Sequence, residues 1–206
     1  METEEILEVF DADGTPLGYA TRHDVHRKGL WHQTFQIWFV EINEGVPWVW
    51  FQRRSPEKAQ YRDLWDITVA GHLMVGEGPR DGFREIREEL GIDIHPDSAY
   101  YFGVVPDEIL GREGADRELC HVFFATAPCE ITQLEWASSE VADVGRVRLN
   151  EAAALVQGLR DSMTVITRDI TQVVDAGMLV PHSKDYYKTV FSALVEHFRS
   201  REVRHQ

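Results

Sequence analysis

Three glutamates are concentrated in the segment Arg84–Leu90. On a helix, Glu85, Glu88 and Glu89 occupy positions i, i+3 and i+4, so their side chains share one face. Carboxylates crowded in this way repel one another unless a cation neutralises them, and an all-oxygen ligand set suits Mg²⁺ or Mn²⁺. The spacing therefore predicts a divalent-cation site, and a solvated acidic helix face is the alternative interpretation.

The glycine-rich stretch before this helix favours the cation site. Gly71, Gly76 and Gly78 permit a tight loop whose backbone can approach a metal or a phosphate closely. Glu77 lies in the same stretch and can fold back toward the carboxylate face. A glycine loop directly before clustered carboxylates indicates a ligand site rather than a merely solvated face.

Residues 71–92 resemble the Nudix box, which reads Gly-x5-Glu-x7-Arg-Glu-U-x-Glu-Glu-x-Gly-U, where U is apolar. Six residues separate Glu77 from Arg84, where the family has seven, so the junction between loop and helix is one residue short. Every fixed residue type of the motif is present, as Gly71, Glu77, Arg84, Glu85, Ile86, Glu88, Glu89, Gly91 and Ile92.

The resemblance implies roles for residues of the box. Glu85, Glu88 and Glu89 are implied to be metal ligands, with the Gly71 carbonyl as a further ligand, and Arg84 is implied to orient the glutamates for catalysis. Members of the family use one or more metals to activate water against a diphosphate. The implied cofactor is Mg²⁺, with Mn²⁺ as an alternative, and the implied fold is an α/β/α sandwich around a mixed sheet.

A second resemblance, to the isopentenyl diphosphate isomerase branch of the same family, extends over about residues 5–125. It rests on the segments Arg22–His26, Gly29–Trp38, Gln52–Ser55 with Lys58, and Trp65–His72. The isomerases hold a divalent metal with histidines and glutamates, and this chain has His26, His32, His72, Asp116 and Glu118 near the matching places. Ordinary structural or surface histidines are the alternative interpretation.

One departure from the isomerases bears on the chemistry. They carry a catalytic cysteine directly before the Gly-His step, where this chain has Ala70. Isomerisation of an unactivated alkene needs groups that donate and accept protons, and alanine can do neither. The sequence therefore predicts a hydrolase that cleaves a diphosphate linkage in a small molecule, a nucleoside diphosphate or a related X-diphosphate. An isopentenyl diphosphate isomerase and a non-catalytic ligand-sensing module are the alternatives.

Further candidate residues lie outside the carboxylate face. Arg53, Arg54 and Lys58 precede the glycine loop and are candidates for substrate phosphate, because guanidinium groups match phosphate oxygens; a solvated strand end is the alternative. His72, inside the box, is a further substrate-binding candidate. Glu118 is the catalytic candidate outside the box, as a general base or an extra metal ligand like those of several Nudix hydrolases, and an exposed strand-end carboxylate is the alternative.

Composition limits the partners that we expect. A chain of 206 residues suits one domain, residues 1–206, and its net charge of −14 repels nucleic-acid backbones. The acidic N-terminus lacks the features of a secretory signal, and no apolar run reaches membrane-spanning length, which predicts a soluble cytoplasmic protein. Cys120 and Cys129 form no CxxC pair and are expected to be reduced thiols.

The hydrophobic pattern predicts an α/β or α+β domain with a mixed sheet. An N-terminal hairpin is expected over about residues 5–20, because Asp-Gly separates two apolar runs. Strands are expected at 34–42, 48–52, 67–70, 92–94, 100–105 and 120–126, with a charged loop at 107–117. Helices are expected at 81–90, ending at Gly91, and at 150–159, 164–176 and 184–198, the last three forming a C-terminal extension over about 150–206.

The segment Pro181–Tyr187 combines a proline, a histidine and two adjacent tyrosines. A packing helix that begins after Ser183 is the preferred interpretation, because serine is a good helix N-cap. A cap over the cleft and a contact in a homodimer are the alternatives.

Overall fold

A long central strand organises the sheet of the computed structural model, which describes residues 5–111 and 114–202. This strand is buried along most of its length, as is typical of a sheet covered on both faces. It pairs with four other strands. The central strand is β3 (Trp31–Asn43), which is antiparallel to β1 (Ile6–Phe10), β4 (Val46–Arg54) and β6 (Val69–His72) and parallel to β8 (Gly114–Thr126).

Four of the remaining strands extend the same sheet to its two edges, and two others pair with strands inside it. One edge is β2 (Pro16–Thr21), which forms the expected N-terminal hairpin with β1. The other edge continues from β4 through β9 (Val141–Arg148) and β10 (Ser162–Thr167) to β11 (Thr171–Asp175). The short strand β5 (Trp65–Asp66) pairs with β4, and β7 (Tyr100–Gly111) pairs with β8.

Helices cover both faces of this sheet. On one face, the helix of the box packs over a cluster that includes Phe35, Phe123, Ile86 and Leu90. On the other face, the C-terminal helices pack over a cluster that includes Trp38. The helices are α1 (Arg22–Lys28), α2 (Arg84–Leu90), α3 (Leu149–Val156) and α4 (Lys184–Glu202). The mixed sheet between two helical layers confirms the expected α/β/α sandwich.

Local sequence explains where the two helices nearest the site begin and end. Thr21 caps α1, since its hydroxyl oxygen accepts from the Asp24 backbone amide at 3.2 Å. Gly29 ends α1 and Gly91 ends α2, with left-handed φ values of +61° and +70° that favour glycine. The prediction that Gly91 ends the box helix is confirmed.

The expected helix at 164–176 is wrong, because this segment is the hairpin of β10 and β11. Met163, Val165 and Thr167 are buried while their neighbours are more exposed, which is the period-two pattern of a strand. The Thr167 backbone amide donates to the Ile170 carbonyl at 2.9 Å and closes the turn. The C-terminal extension is therefore only partly helical, and α4 matches its expected last helix.

Three smaller expectations also change. The charged segment 107–117 is largely paired in β7 and β8, because Arg117 Nε donates across the hairpin to Glu108 Oε1 at 2.7 Å. Residues 92–94 form no strand; Ile92 and Ile94 instead pack against the core below α2. The strand expected at 67–70 begins and ends two residues later, as β6 (Val69–His72).

Some expectations fall on residues 1–4, 112–113 and 203–206. These include the acidic N-terminus, the middle of the charged segment and the end of the C-terminal extension, which lie outside the described residues. Within the described ranges, no helix has the length and apolar character needed to cross a membrane.

Candidate active site

Arg84 connects the glycine-rich loop to the helix α2. Its Nε and Nη2 atoms donate to Glu77 Oε1 and Oε2 at 2.9 and 3.1 Å. The Met74 backbone amide donates to Glu77 Oε2 at 2.8 Å. The hydrogen bonds from Arg84 lower the pKa of the Glu77 carboxyl, which keeps it ionised at neutral pH. The junction that is one residue short therefore still brings Glu77 to the helix.

The same guanidinium contacts two of the box glutamates. Arg84 Nη1 donates to Glu85 Oε1 at 2.5 Å and to Glu88 Oε2 at 3.2 Å, and Nη2 also donates to the His72 backbone carbonyl at 3.0 Å. The side chain of Glu88 is 56% exposed, against 14% for Glu85. Arg84 thus lies where it can orient both carboxylates, while its role in a reaction stays a prediction.

Gly71 lies directly against the carboxylate of Glu85. A Cβ atom built on Gly71 would be 2.2 Å from Glu85 Cδ and 2.4 Å from Glu85 Oε1, far inside van der Waals contact. Only glycine therefore permits the backbone of β6 to approach this carboxylate so closely. The backbone of Gly71 and the carboxylate of Glu85 are therefore in close contact.

Glu89 differs from the other two glutamates because it is almost fully buried, at 4% exposure. Burial raises the pKa of Glu89 to about 8. Its Oε2 atom accepts a hydrogen bond from Gln52 Nε2 at 3.2 Å. A buried carboxyl with a raised pKa is more typical of a functional group than of a solvated helix face.

The three glutamates do not converge on one point in this structure. Among the described residues, Glu85, Glu88 and Glu89 do not form a group whose three ligand atoms lie within 4.8 Å of one another. Glu85 and Glu88 are held by Arg84, whereas Glu89 is turned toward Gln52. A cation on this face would have to draw two carboxylates away from Arg84.

A second group of potential ligands, the histidine cluster, consists of His26, His32 and His72. The ring centroids are 5.2–5.4 Å apart, and one nitrogen of each ring lies within 4.8 Å of the others. His26 Nε2 and His72 Nε2 face each other at 3.2 Å. The elements α1, β3 and β6 each contribute one ring. The β3–β6 register pairs His72 with Thr34, two residues after His32 on β3.

The protonation state of the cluster suits a metal. Burial lowers the pKa of His32, and burial together with the neighbouring His32 ring lowers the pKa of His72 well below its usual value. Both rings are therefore neutral at physiological pH, which is the form that binds metals.

Two buried atoms at the edge of this cluster lack hydrogen-bond partners within the part of the chain that the structure describes. His32 Nδ1 lies 3.1 Å from the Leu30 carbonyl and donates to it, so Nε2 carries the lone pair. Among the described residues, His32 Nε2 and Asp116 Oδ1 are both buried without a hydrogen-bond partner, and they lie 3.9 Å apart. A lone pair and a carboxylate oxygen left unpaired side by side are satisfied by a cation between them.

Glu118 lies next to this position. Atoms of His32, Asp116 and Glu118 form a second group of three within 4.8 Å. Burial and the charge of Asp116 raise the pKa of Glu118 to about 7. The geometry therefore supports a ligand role for Glu118 directly, and the raised pKa agrees with a proton-accepting role near neutral pH.

The three basic residues expected at phosphate have different surroundings. Arg54 Nη1 pairs with Asp66 Oδ2 at 3.0 Å, and Lys58 forms an ion pair with Glu140. Burial lowers the pKa of Lys58, while the charge of Glu89 opposes that change. Arg53 is half-buried, and its Nε atom has no hydrogen-bond partner among the described residues. Contact of these residues with substrate phosphate stays a prediction.

The sequence analysis missed a buried charged group centred on His182. Its Nδ1 and Nε2 atoms lie 2.6 and 2.9 Å from Asp107 Oδ2 and Asp66 Oδ1. Burial alone would lower the pKa of His182, but hydrogen bonds to Asp107 and Asp66 raise it to about 10. The only signal was the unusual composition of Pro181–Tyr187, because the partners lie 75 and 116 residues away in sequence.

Comparison with known proteins identifies the family. A family model described as NUDIX domain matches residues 31–169. An uncharacterized Nudix hydrolase of Clostridium acetobutylicum is 30% identical over 204 residues, which cover 95% of this chain and 99% of that protein. Isopentenyl-diphosphate Delta-isomerase 2 of Photorhabdus laumondii is 32% identical over 167 residues, which cover 79% of this chain and 88% of the isomerase.

The solved structures agree in fold. A MutT/nudix family protein from Enterococcus faecalis has a TM-score of 0.54 and 16% identity, covering 80% of this chain and 61% of that chain. The family match and the full-length relative carry the assignment, and the structural likeness supports the fold alone. The chain therefore belongs to the Nudix hydrolases, enzymes that cleave phosphoric anhydride bonds, and has relatives among the isopentenyl diphosphate isomerases of the same superfamily.

Proposed function

We propose that this chain hydrolyses the diphosphate linkage of a nucleoside diphosphate or a related X-diphosphate, with Mg²⁺ as the cofactor and Mn²⁺ as a substitute. The observation that supports this most strongly is the contact of Gly71 with Glu85 beside the buried Glu89. A glycine that a Cβ would force against a carboxylate is consistent with a backbone carbonyl and carboxylates serving one ligand site.

Each residue of the box has a place in this proposal. Glu85, Glu88 and Glu89 with the Gly71 carbonyl would hold the cation, and Arg84 would hold the glutamates in position. When bound, a divalent cation neutralises the charge of a diphosphate and lowers the pKa of a bound water.

The basic residues Lys58 and Arg54 lie close enough to Glu89 to affect its charge. Lys58 lies within electrostatic reach of Glu89, so it and its neighbour Arg54 are the proposed contacts for phosphate oxygens, together with Arg53 and His72. Substrate phosphate would replace carboxylates as the partner of Arg54 and Lys58.

We assign the histidine cluster, with Asp116 and Glu118, to a second divalent cation. The unpaired His32 Nε2 and Asp116 Oδ1 support this assignment. We assign Glu118 a ligand role because its carboxylate lies in the same group of atoms. The alternative role, a general base, predicts that Glu118→Gln lowers turnover without weakening Mn²⁺ binding.

Isomerisation of isopentenyl diphosphate is the second candidate function. The histidine cluster and the isomerase of Photorhabdus laumondii favour it. Ala70 disfavours it, because a methyl group provides no proton for the alkene. We do not assign the missing role to Cys120, because it lies on β8 rather than directly before the Gly-His step.

A phosphate-release screen tests the proposal. Purified protein would be incubated with Mg²⁺ and nucleotide, sugar-nucleotide or prenyl diphosphates, and each reaction repeated after exhaustive metal removal. We expect cleavage of at least one nucleoside or sugar diphosphate, abolished by the chelator and restored by Mg²⁺ or Mn²⁺. Because a sugar nucleotide would give two phosphomonoesters, an added phosphatase frees phosphate from the products in those reactions. Full activity without metal contradicts the cofactor assignment. Dimethylallyl diphosphate formed from isopentenyl diphosphate at an enzymatic rate, measured by chromatography with mass detection, contradicts the choice of hydrolysis.

A further inference from the structure

A chain of three hydrogen bonds begins at Trp38, passes through Tyr186 of the C-terminal helix and Gln36, and ends at Glu118. Trp38 Nε1 lies 3.4 Å from the Tyr186 hydroxyl oxygen. The Tyr186 hydroxyl lies 2.5 Å from Gln36 Oε1, and Gln36 Nε2 lies 3.2 Å from Glu118 Oε2. Tyr186 lies 150 residues from Gln36 in sequence, so only the tertiary fold brings α4 to this part of β3.

The chemistry of the first group fixes the direction of every bond in the chain. An indole N–H can only donate, so the Tyr186 oxygen accepts from Trp38 and directs its single proton to Gln36. Gln36 must then present its carbonyl oxygen to Tyr186 and its amide N–H to Glu118. A half-turn of the amide would bring its oxygen against Glu118 Oε2, and its N–H against the Tyr186 hydroxyl, whose oxygen already accepts from Trp38.

Burial makes the loss of any hydrogen bond in this chain costly. Trp38 and Tyr186 have no exposed surface, and Gln36 is 1% exposed. Water therefore cannot replace a lost partner at low cost, and a buried acceptor left without a donor is destabilising.

The carboxylate at the end of the chain is held by one of its two oxygens. Glu118 Oε2 accepts from Gln36, from Thr34 Oγ1 at 3.1 Å and from Cys120 Sγ at 3.5 Å. No hydrogen bond to Glu118 Oε1 is recorded within the described part of the chain. The three donors therefore anchor one oxygen of the carboxylate, which also contributes an oxygen to the group formed with His32 and Asp116.

We propose that Tyr186 is a positioning residue for Glu118, acting through Gln36. Its hydroxyl fixes the orientation of the Gln36 amide, and the amide fixes the orientation of the Glu118 carboxylate in the ligand group. This inference rests on the proposed ligand role of Glu118. It gives the C-terminal helix an indirect part in the site, through a residue that is not itself one of the proposed ligands.

The test is the affinity of the purified full-length protein for Mn²⁺ alone, measured by titration calorimetry. Tyr186→Phe removes the hydroxyl and keeps the ring, so Mn²⁺ binding at the Glu118-dependent site should weaken by about tenfold, as is usual when a partner of a metal ligand is lost. The matched control is Tyr187→Phe, because Tyr187 is also buried on α4 but its hydroxyl donates to the Val180 carbonyl at 2.8 Å. This control should keep its Mn²⁺ affinity within about twofold of wild type.

A double-mutant cycle separates a positioning role from a loss of structure. In Gln36→Met the amide is absent, so adding Tyr186→Phe should cause no further loss of Mn²⁺ affinity. Wild-type affinity in Tyr186→Phe, an equal loss in Tyr187→Phe, or an undiminished effect of Tyr186→Phe in the Gln36→Met background would overturn the proposal.

The variant Glu118→Gln tests the proposed ligand role of Glu118 separately from the positioning role of Tyr186. If Glu118→Gln binds Mn²⁺ like wild type, the ligand role of Glu118 is wrong and the positioning proposal falls with it. If Glu118→Gln loses the site while Tyr186→Phe retains it, the ligand role stands and only the positioning proposal is overturned.

Discussion

The acidic residues of α2 have different environments although they are close neighbours in sequence. Glu88 is exposed and shares Arg84 with Glu85, whereas Glu89 is enclosed and contacts Gln52. Burial raises the pKa of Glu89 to about 8, so without a cation its carboxyl is largely protonated at neutral pH. Burial makes the ionised form of Glu89 unfavourable, and a bound cation would stabilise that form.

We expect Glu89→Gln to lower turnover by about three orders of magnitude, because the loss of one charge weakens cation binding and transition-state neutralisation, each worth several kcal/mol. The free energy of unfolding without metal should stay the same or rise, since an amide replaces a buried ionisable group. Steady-state kinetics at saturating Mg²⁺ and urea unfolding measure the two effects. Glu196→Gln, exposed on α4, is the charge-matched control. Turnover within a few-fold of wild type would remove Glu89 from the site.

At the scale of elements, two glycines determine how the box segment packs on the sheet. A Cβ on Gly71 would meet the mobile end of Glu85, whereas a Cβ on Gly82 would lie 2.4 Å from Phe35 Cβ and 2.5 Å from its ring. Glu85 can rotate away from such a contact. Phe35 is fully buried in β3 and cannot move without disturbing the core.

This difference predicts opposite results for two alanine substitutions. Gly71→Ala should lower turnover by about 10- to 100-fold through displacement of Glu85, with less than about 1 kcal/mol of lost stability. Gly82→Ala should cost about 1–3 kcal/mol of stability by overpacking the core. Chemical denaturation together with steady-state kinetics distinguishes them. A Gly71→Ala protein that is fully active, or that is as unstable as Gly82→Ala, would contradict this account.

The box could be identified from the sequence because its residues lie within one loop and one helix, where spacing determines geometry. The histidine cluster could not be assembled in that way. His32 and Glu118 come together through the parallel register of β3 and β8, and His72 joins them through the register of β6. A resemblance supplied candidate ligands, but no local pattern determines those registers.

The errors in secondary structure have a similar origin. The segment of β10 and β11 has polar residues at spacings that also fit a helix, and its branched residues favour a strand only weakly. Pairing with β9, at Ile166 with Arg146, decides the outcome in the fold. The charged residues of β7 and β8 suggest a loop, but cross-strand pairs such as Arg117 with Glu108 stabilise charged residues within the hairpin.

At the scale of the whole molecule, His182 joins three distant parts of the chain. Its imidazolium lies between Asp66 on β5 and Asp107 on β7, just before α4 begins. Burial would raise the pKa of Asp66, but the hydrogen bond from His182 and nearby positive charges lower it to about 2. Deprotonation of His182 would leave two carboxylates enclosed with one cation fewer.

The stability of the protein should therefore fall as pH rises above neutrality. The pKa of His182 is about 10 in the fold and about 6.5 when unfolded, so its contribution is full below pH 6.5 and is lost as pH approaches 10. We expect the free energy of unfolding to drop by on the order of 2 kcal/mol between pH 7 and pH 10. Urea unfolding at a series of pH values measures this.

Two variants isolate the contribution of His182. His182→Gln should be less stable at pH 7 by on the order of 3 kcal/mol, because it leaves a buried charge unpaired, and it should lose much of the pH dependence. His23→Gln, exposed on α1, should keep the wild-type dependence. An equal slope in His182→Gln and wild type would assign the effect to other groups.

The parallel pairing of β3 and β8 has a consequence for how the protein is made. Thr34 and Glu118 are 84 residues apart. The hairpins can pair progressively from their turns, whereas the β3–β8 ladder can form only after a long loop has closed. During synthesis from the N-terminus, His26, His32 and His72 emerge well before Asp116 and Glu118, and Tyr186 follows far later. A nascent chain would thus carry the histidines before their acidic partners, and the site could be completed only after synthesis has passed Tyr186.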